Sequence, residues 1–243
     1  MRAFTLKSAR SYLAILAPGL AVALAATAEA GPVKGRIAGA EKLFPEAYAE
    51  AAKPDGHNYT WREPSPTVRQ EFRALTASPS RDICIAAISS QAAPKHEPIA
   101  IVITGGHAIP STIVVAPGTT LSFMNHDPFS HRFFQVGSDA FKADEMQTGK
   151  HRDWVAPPTP GRFEFKDALF PSVRFSVVVE PGVVDVVYPV RAGAFAFRDL
   201  PPGDYSLRAF FGGRQVGKSV AVVATKGSVE LKDAINLAEA PTP

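Results

Sequence analysis

The sequence predicts an all-β protein built from two modules. From residue 82 onward, short apolar runs of strand length alternate with turn signals, the pattern of a β-sandwich or barrel. Between 194 and 224 the residues alternate apolar and polar around two turns, Pro201-Pro202-Gly203-Asp204 and Gly212-Gly213. The chain has 243 residues, 46% of them hydrophobic, with 22 Pro and 18 Gly. That describes a turn-rich globular protein with room for two small domains, not a disordered one.

Residues 1–30 read as a secretory signal peptide. Arg2, Lys7 and Arg10 form a basic start, "YLAILAPGLAVALAA" an apolar run, and Ala28 and Ala30 a small-residue cleavage signal before Gly31. The run is short of the roughly 20 apolar residues a spanning helix needs, so no membrane span is expected after cleavage. A periplasmic or secreted location follows. Losing Arg2, Lys7, Arg10 and Glu29 lowers the formal charge from +3 to about +1, with no Lys/Arg stripe to support nucleic-acid binding. Cys84 is the single cysteine, so an intrachain disulfide is excluded. Its apolar setting in "DICIAAI" favours a buried thiol.

Segment 31–96 opens with a strand-like "VKGRIAG" and continues through a Pro-rich loop at 54–67 and one short helix in "TVRQEFRALTA". Tyr59 and Trp61, with Trp154 further on, are candidate contact points for a protein or glycan, or else core residues. Expected strands then follow as "ICIAAIS", "IAIVITG", "TIVVAP", "TLSFMNH", "HRFFQV", "GRFEFKD" and "RFSVVVEP". "PGTT" at 117–120 marks a tight turn. Residues 137–160 form a polar excursion with no clear period. After Pro181, Phe195 and Phe197 should share one face, and Tyr205, Leu207 and Ala209 the core face of the next strand. A last strand is expected in "SVELKDAINL".

"IPSTIVVAPGTTLSFMNHDPFSHRFF" and "PGRFEFKDALFPSVRFSVVV" together resemble the cupredoxin family, the blue-copper β-sandwich of plastocyanin-like proteins. "GAFAFRDLPPGDYSLRAF" resembles the signature of carboxypeptidase-regulatory-like, transthyretin-like modules. The tandem is similar to periplasmic plastocyanin-like proteins often labelled methylamine utilisation proteins. The resemblance implies a cupredoxin-like Greek-key β-sandwich over 97–181, then a smaller transthyretin-like β-sandwich over 182–238 and a tail at 239–243. Segment 31–96 lies largely outside it, although "VKGRIAG" is a candidate to pair with the C-terminal module.

A blue-copper site needs two imidazoles and a thiolate, with a weak axial thioether. The resemblance places the first imidazole at His131, after Asn125 and Asp127 in a loop-holding element. Its Cys, His and Met positions hold Asp167, Phe170 and Val173 instead, so a type 1 copper centre is not expected. Three readings stay open. In the first no cofactor is bound: His131 hydrogen-bonds Asp167, with Phe170 and Val173 as apolar filling. In the second, His131 binds copper or zinc in a non-type-1 site with His126, Asp127, Asp167 or His107. The third is an enzyme using Asp139, Asp144, Glu145, His151 or Asp153, although no catalytic motif accompanies them. The expectation carried forward is a non-enzymatic, exported binding or structural protein whose partner is a periplasmic or cell-surface protein or glycan.

Overall fold

The computed structural model describes residues 31–43, 78–90, 98–170 and 173–241. Residues 1–30, Tyr59, Trp61 and the helix expected in 67–77 lie outside them. The chain enters through β1 (Val33–Ala38), a 3-10 turn (Ala40–Lys42), the single helical turn α1 (Pro79–Asp82) and β2 (Ile83–Ile88). Eight strands follow: β3 (Ile99–Thr104), β4 (His107–Ile109), β5 (Thr112–Val115), β6 (Thr120–Asn125), β7 (Phe133–Gln135), β8 (His151–Val155), β9 (Gly161–Asp167) and β10 (Arg174–Val179). The chain ends in β11 (Val183–Val187), β12 (Ala194–Phe197), β13 (Gly203–Phe211), β14 (Arg214–Ala224), β15 (Val229–Glu230) and β16 (Ile235–Asn236).

These strands form an all-β structure of two sandwiches. In the first, a sheet of order β4-β3-β6-β8 faces a sheet of order β5-β10-β9-β7. Both are mixed: β3 runs parallel to β6 and β5 parallel to β10, while β9 is antiparallel to β10 and β7. Between them lies an aromatic core of Phe123, Phe133, Phe141, Trp154, Phe165 and Phe175. Phe165 and Phe175 stack with ring centroids 4.9 Å apart, and Phe123 meets both.

In the second, a sheet of order β11-β2-β13-β14 faces one of order β12-β1-β15, with β16 also on β1. Strand β1 pairs antiparallel with β12, and β2 antiparallel with both β11 and β13. Its core is built on Val33, Ile83, Ile85, Phe197, Leu200 and Leu207. Alternation in β12 and β13 buries Phe195 and Phe197, then Tyr205, Leu207 and Ala209.

Every residue of β2 is buried because both of its faces are covered. Ile83, Ile85 and Ala87 enter the second core. Cys84, Ala86 and Ile88 turn the other way and pack with Val114, Ala116 and Val178 of the first sandwich. Polar bonds hold the same junction. Ser111 donates its amide to the Arg81 carbonyl (2.9 Å) and its hydroxyl to Asp82 Oδ1 (2.8 Å). Tyr188 Oη donates to the Thr112 carbonyl (3.1 Å), and the Arg208 guanidinium pairs with Glu180 at 2.8 Å.

The structure departs from the sequence expectations at four points. The polar excursion at 137–160 contains β8, whose Trp154 is in the core, so it offers no free aromatic surface. His107 begins β4, a three-residue strand that was not among those expected. "VVDVV" after Gly182 is a strand, β11, that no alternation announced. The last expected strand is two short ones, both parallel to β1.

Candidate functional site

At one end of the first sandwich three connections converge: the β3–β4 turn, the loop after β6, and the loop after β9. Strand β6 ends in Asn125, which is fully buried and fully used. Its amide nitrogen donates to the carbonyls of Phe129 (2.8 Å) and Met146 (2.9 Å), and its oxygen accepts the Asp127 amide (2.8 Å). That local ring turns the chain so that Asp127 points back into the protein.

The Asp127 carboxylate lands on the β3–β4 turn. Thr104 and His107 pair across a two-residue hairpin whose central residues, Gly105 and Gly106, both have positive φ (59° and 70°). Such a turn needs residues without a Cβ penalty. Gly105 donates its amide to Asp127 Oδ1 (2.5 Å) and Gly106 its amide to Oδ2 (3.0 Å).

His131 is completely buried and bridged to Met146 by both backbone bonds. Its ring lies between two carboxylates: Nε2 is 3.0 Å from Asp127 Oδ2, and Nδ1 is 2.9 Å from Asp167 Oδ2. Both contacts are hydrogen bonds to ionised carboxylates only when both ring nitrogens carry a proton. Asp167, at the end of β9, is held in turn by three amides: Arg132 to Oδ2 (3.0 Å), and Leu169 (2.6 Å) and Phe170 (2.9 Å) to Oδ1. Aromatic rings close the box. Phe133 stacks on the imidazole with centroids 5.0 Å apart, Phe170 meets it edge-on at 5.3 Å, and Phe129 covers it at 5.2 Å.

Burial pushes the Asp127 carboxyl up, but the Gly106 amide, the His131 ring and the Gly105 amide outweigh it. The result lies below the usual carboxylate range.

The fold therefore gathers Asn125, Asp127, His131, Asp167 and Phe170 into one cluster, with Val173 buried in the core beneath and bonded through its amide to the Phe170 carbonyl. It does not bring in His126 or His107, whose side chains are exposed. Asp139, Asp144, Glu145, His151 and Asp153 are exposed as well. Asp144 pairs with Arg152 at 3.3 Å, and Glu145 accepts the Ser130 hydroxyl at 2.9 Å. The sequence alone suggested a hydrogen bond from His131 to Asp167 and placed Asp127 beside the ring only as a candidate metal ligand. The available signal was the adjacent Gly pair ending β3, the strand parallel to β6.

A blue-copper donor set does not fit here. The positions that the family resemblance would give to a thiolate, a second imidazole and a thioether hold Asp167, Phe170 and Val173, and the last two offer no donor atom. Cys84 lies in the junction between sandwiches, hydrogen-bonded to Tyr188 and Val114, and burial pushes its thiol up to about 12. Both nitrogens of His131 are already engaged by carboxylates that backbone amides hold in place. Among the described residues no group of three or more His, Cys, Asp or Glu is arranged to hold a metal ion.

No family model and no curated protein matches the chain. Solved structures with a similar fold include a purple cupredoxin from Nitrosopumilus maritimus, 19% identical, covering 34% of this chain and 99% of its own, with a TM-score of 0.31. Amicyanin from Paracoccus versutus is 18% identical over 40% of this chain and 97% of its own, with a TM-score of 0.32. The copper-containing nitrite reductase from Thermus scotoductus SA-01 is 17% identical, with a TM-score of 0.32. That match covers 39% of this chain and only 25% of the reductase. Likenesses of this degree say nothing about what this chain binds or does.

Proposed function

We propose that the chain is an exported binding or structural protein. Its cupredoxin-like sandwich, residues 97–181, holds an Asp–His–Asp clasp where the family resemblance would put copper. One observation carries the reading: both ring nitrogens of His131 face carboxylates at 2.9 and 3.0 Å, so neither nitrogen is open to an incoming metal. The clasp ties three connections together, as a coordinated ion would, without redox chemistry. The partner is a protein or glycan of the periplasm or cell surface. The signal-like residues 1–30 support export. Among the described residues no helix is long and apolar enough to cross a membrane. A second, transthyretin-like module is supported by the "GAFAFRDLPPGDYSLRAF" resemblance and by the pairing of β1 and β2 with the C-terminal strands. A non-catalytic role is supported by the exposure of the loop carboxylates and the complete burial of His131.

The test is metal titration of protein purified from its native compartment, with elemental analysis. The expected result is no stoichiometric copper or zinc and no intense visible thiolate band on adding copper(II). Binding tighter than about 1 μM that vanishes in His131→Gln would overturn the reading.

A further inference from the structure

The second sandwich carries a groove remote from His131. Its volume is about 770 Å³, inside the roughly 300–1,000 Å³ range of small-molecule sites. It opens between β11 and β12, each the terminal strand of its own sheet. Val187 and Val190 supply apolar lining, and Val190 is 57% exposed. Phe195 lies against its cross-strand neighbour Gly35, where an added Cβ would come within 2.6 Å of the ring. The glycine makes room for that ring on the core face of the sheet.

The polar lining is almost entirely of one sign. Lys34 and Arg36 come from the exposed positions of β1, and Arg198 follows β12 directly. Glu230 is the only acid among the described lining residues, and it lies beside Lys34 in register. Arg36 and Arg198 have no ion-pair partner among the described residues.

We propose that this groove is a binding site for a small amphiphilic anion. A carboxylate or phosphate head pairs with the cations Lys34, Arg36 and Arg198, and an alkyl or aryl body covers Val187 and Val190. Guanidinium groups favour such heads because their fork of donors matches two oxygens. An inorganic anion would leave the apolar wall in water. An uncharged apolar ligand would cover the cations without pairing them, and an amphiphilic cation would be repelled. The proposal uses no residue of the His131 clasp, so the two stand or fall separately.

The test is calorimetric titration of the full chain with laurate below its aggregation threshold. One saturable site is expected, weakened about tenfold or more in Arg36→Glu/Arg198→Glu and also weakened in Val190→Asp. Arg198→Gln alone should weaken it as well, which keeps the test open if the double variant does not fold. Dodecyltrimethylammonium should not compete, inorganic phosphate alone should not bind, and His131→Gln should leave laurate affinity unchanged. Laurate binding that does not saturate would sink the proposal. So would affinity that is the same in Arg198→Gln and Val190→Asp as in the parent.

Discussion

Removing the Asp127 side chain tests whether the clasp holds the end of the first sandwich together. Asp127→Ala deletes the acceptor for His131 Nε2 and for the amides of Gly105 and Gly106. Gly105 is exposed, so its amide can turn to water at little cost. His131 is fully buried, so its Nε2 is left facing a void. Removing one partner of a buried, hydrogen-bonded pair leaves the other unsatisfied in an apolar box, and we expect a cost of about 4 kcal/mol here. With a urea slope of about 2 kcal/mol per molar, the unfolding midpoint falls by about 2 M. In a Trp61→Phe background the fluorescence of core residue Trp154 reports this transition.

The pH dependence gives a second reading of the same variant. The folded Asp127 carboxyl lies below the usual range, so its contribution is fully present above the unfolded value of about 4. It is lost as pH falls through the lower folded value. The part of the gap between parent and Asp127→Ala that the carboxylate supplies should therefore close as pH falls below about 4. A midpoint shift below about 0.3 M at pH 7, or a gap that does not narrow with acid, would refute the clasp as a stabilising element.

Two further outcomes follow from other parts of the molecule. Cys84, with its thiol pushed up to about 12, should carry only about one thiolate in ten thousand at pH 8. Native protein should thus leave a chromogenic disulfide reagent unreacted for hours, whereas urea-unfolded protein reacts at once. Arg152 donates to the carbonyls of Phe133, Lys142 and Asp144 and lies 4.0 Å over the Phe141 ring, fastening the loop before β8. Arg152→Met should lower stability by about 1–2 kcal/mol and speed tryptic cleavage after Lys142. Unchanged proteolysis there would show that the loop is held by something else.

The sequence was legible where one side of a strand meets water and the other a core. Residues 194–211 alternate, and the structure buries the alternating set. It was less legible where elements are short, edge-placed or polar on one side. Strand β8 reads "HRDWV" with a single buried residue, so its periodicity amounts to Trp154 alone. Strand β4 has three residues and one buried, Ala108. At the clasp, Asp167 could be matched to His131 because the resemblance puts both at one site. Asp127 entered only as a candidate metal ligand, since the direction that makes it a hydrogen-bond partner depends on a contact 22 residues away, at Gly105.

That long-range contact also explains why a histidine buried without exposure is tolerated at all. Each carboxylate beside it is compensated before the imidazole is counted: Asp127 by two backbone amides, Asp167 by three. Backbone donors are fixed by the hairpin and by the loops, so they cost no side-chain entropy when the site forms. The imidazole then meets acceptors already in position, and Phe133, Phe129 and Phe170 keep water from competing for them. A metal entering this site would have to displace at least one of those carboxylates from the ring and from its amides together. The barrier to metal binding is thus the whole hydrogen-bonded frame, not only the missing thiolate. Asp167→Cys would remove the three amide acceptor contacts that close the loop after β9, and the expected result is a less stable sandwich instead of a copper site.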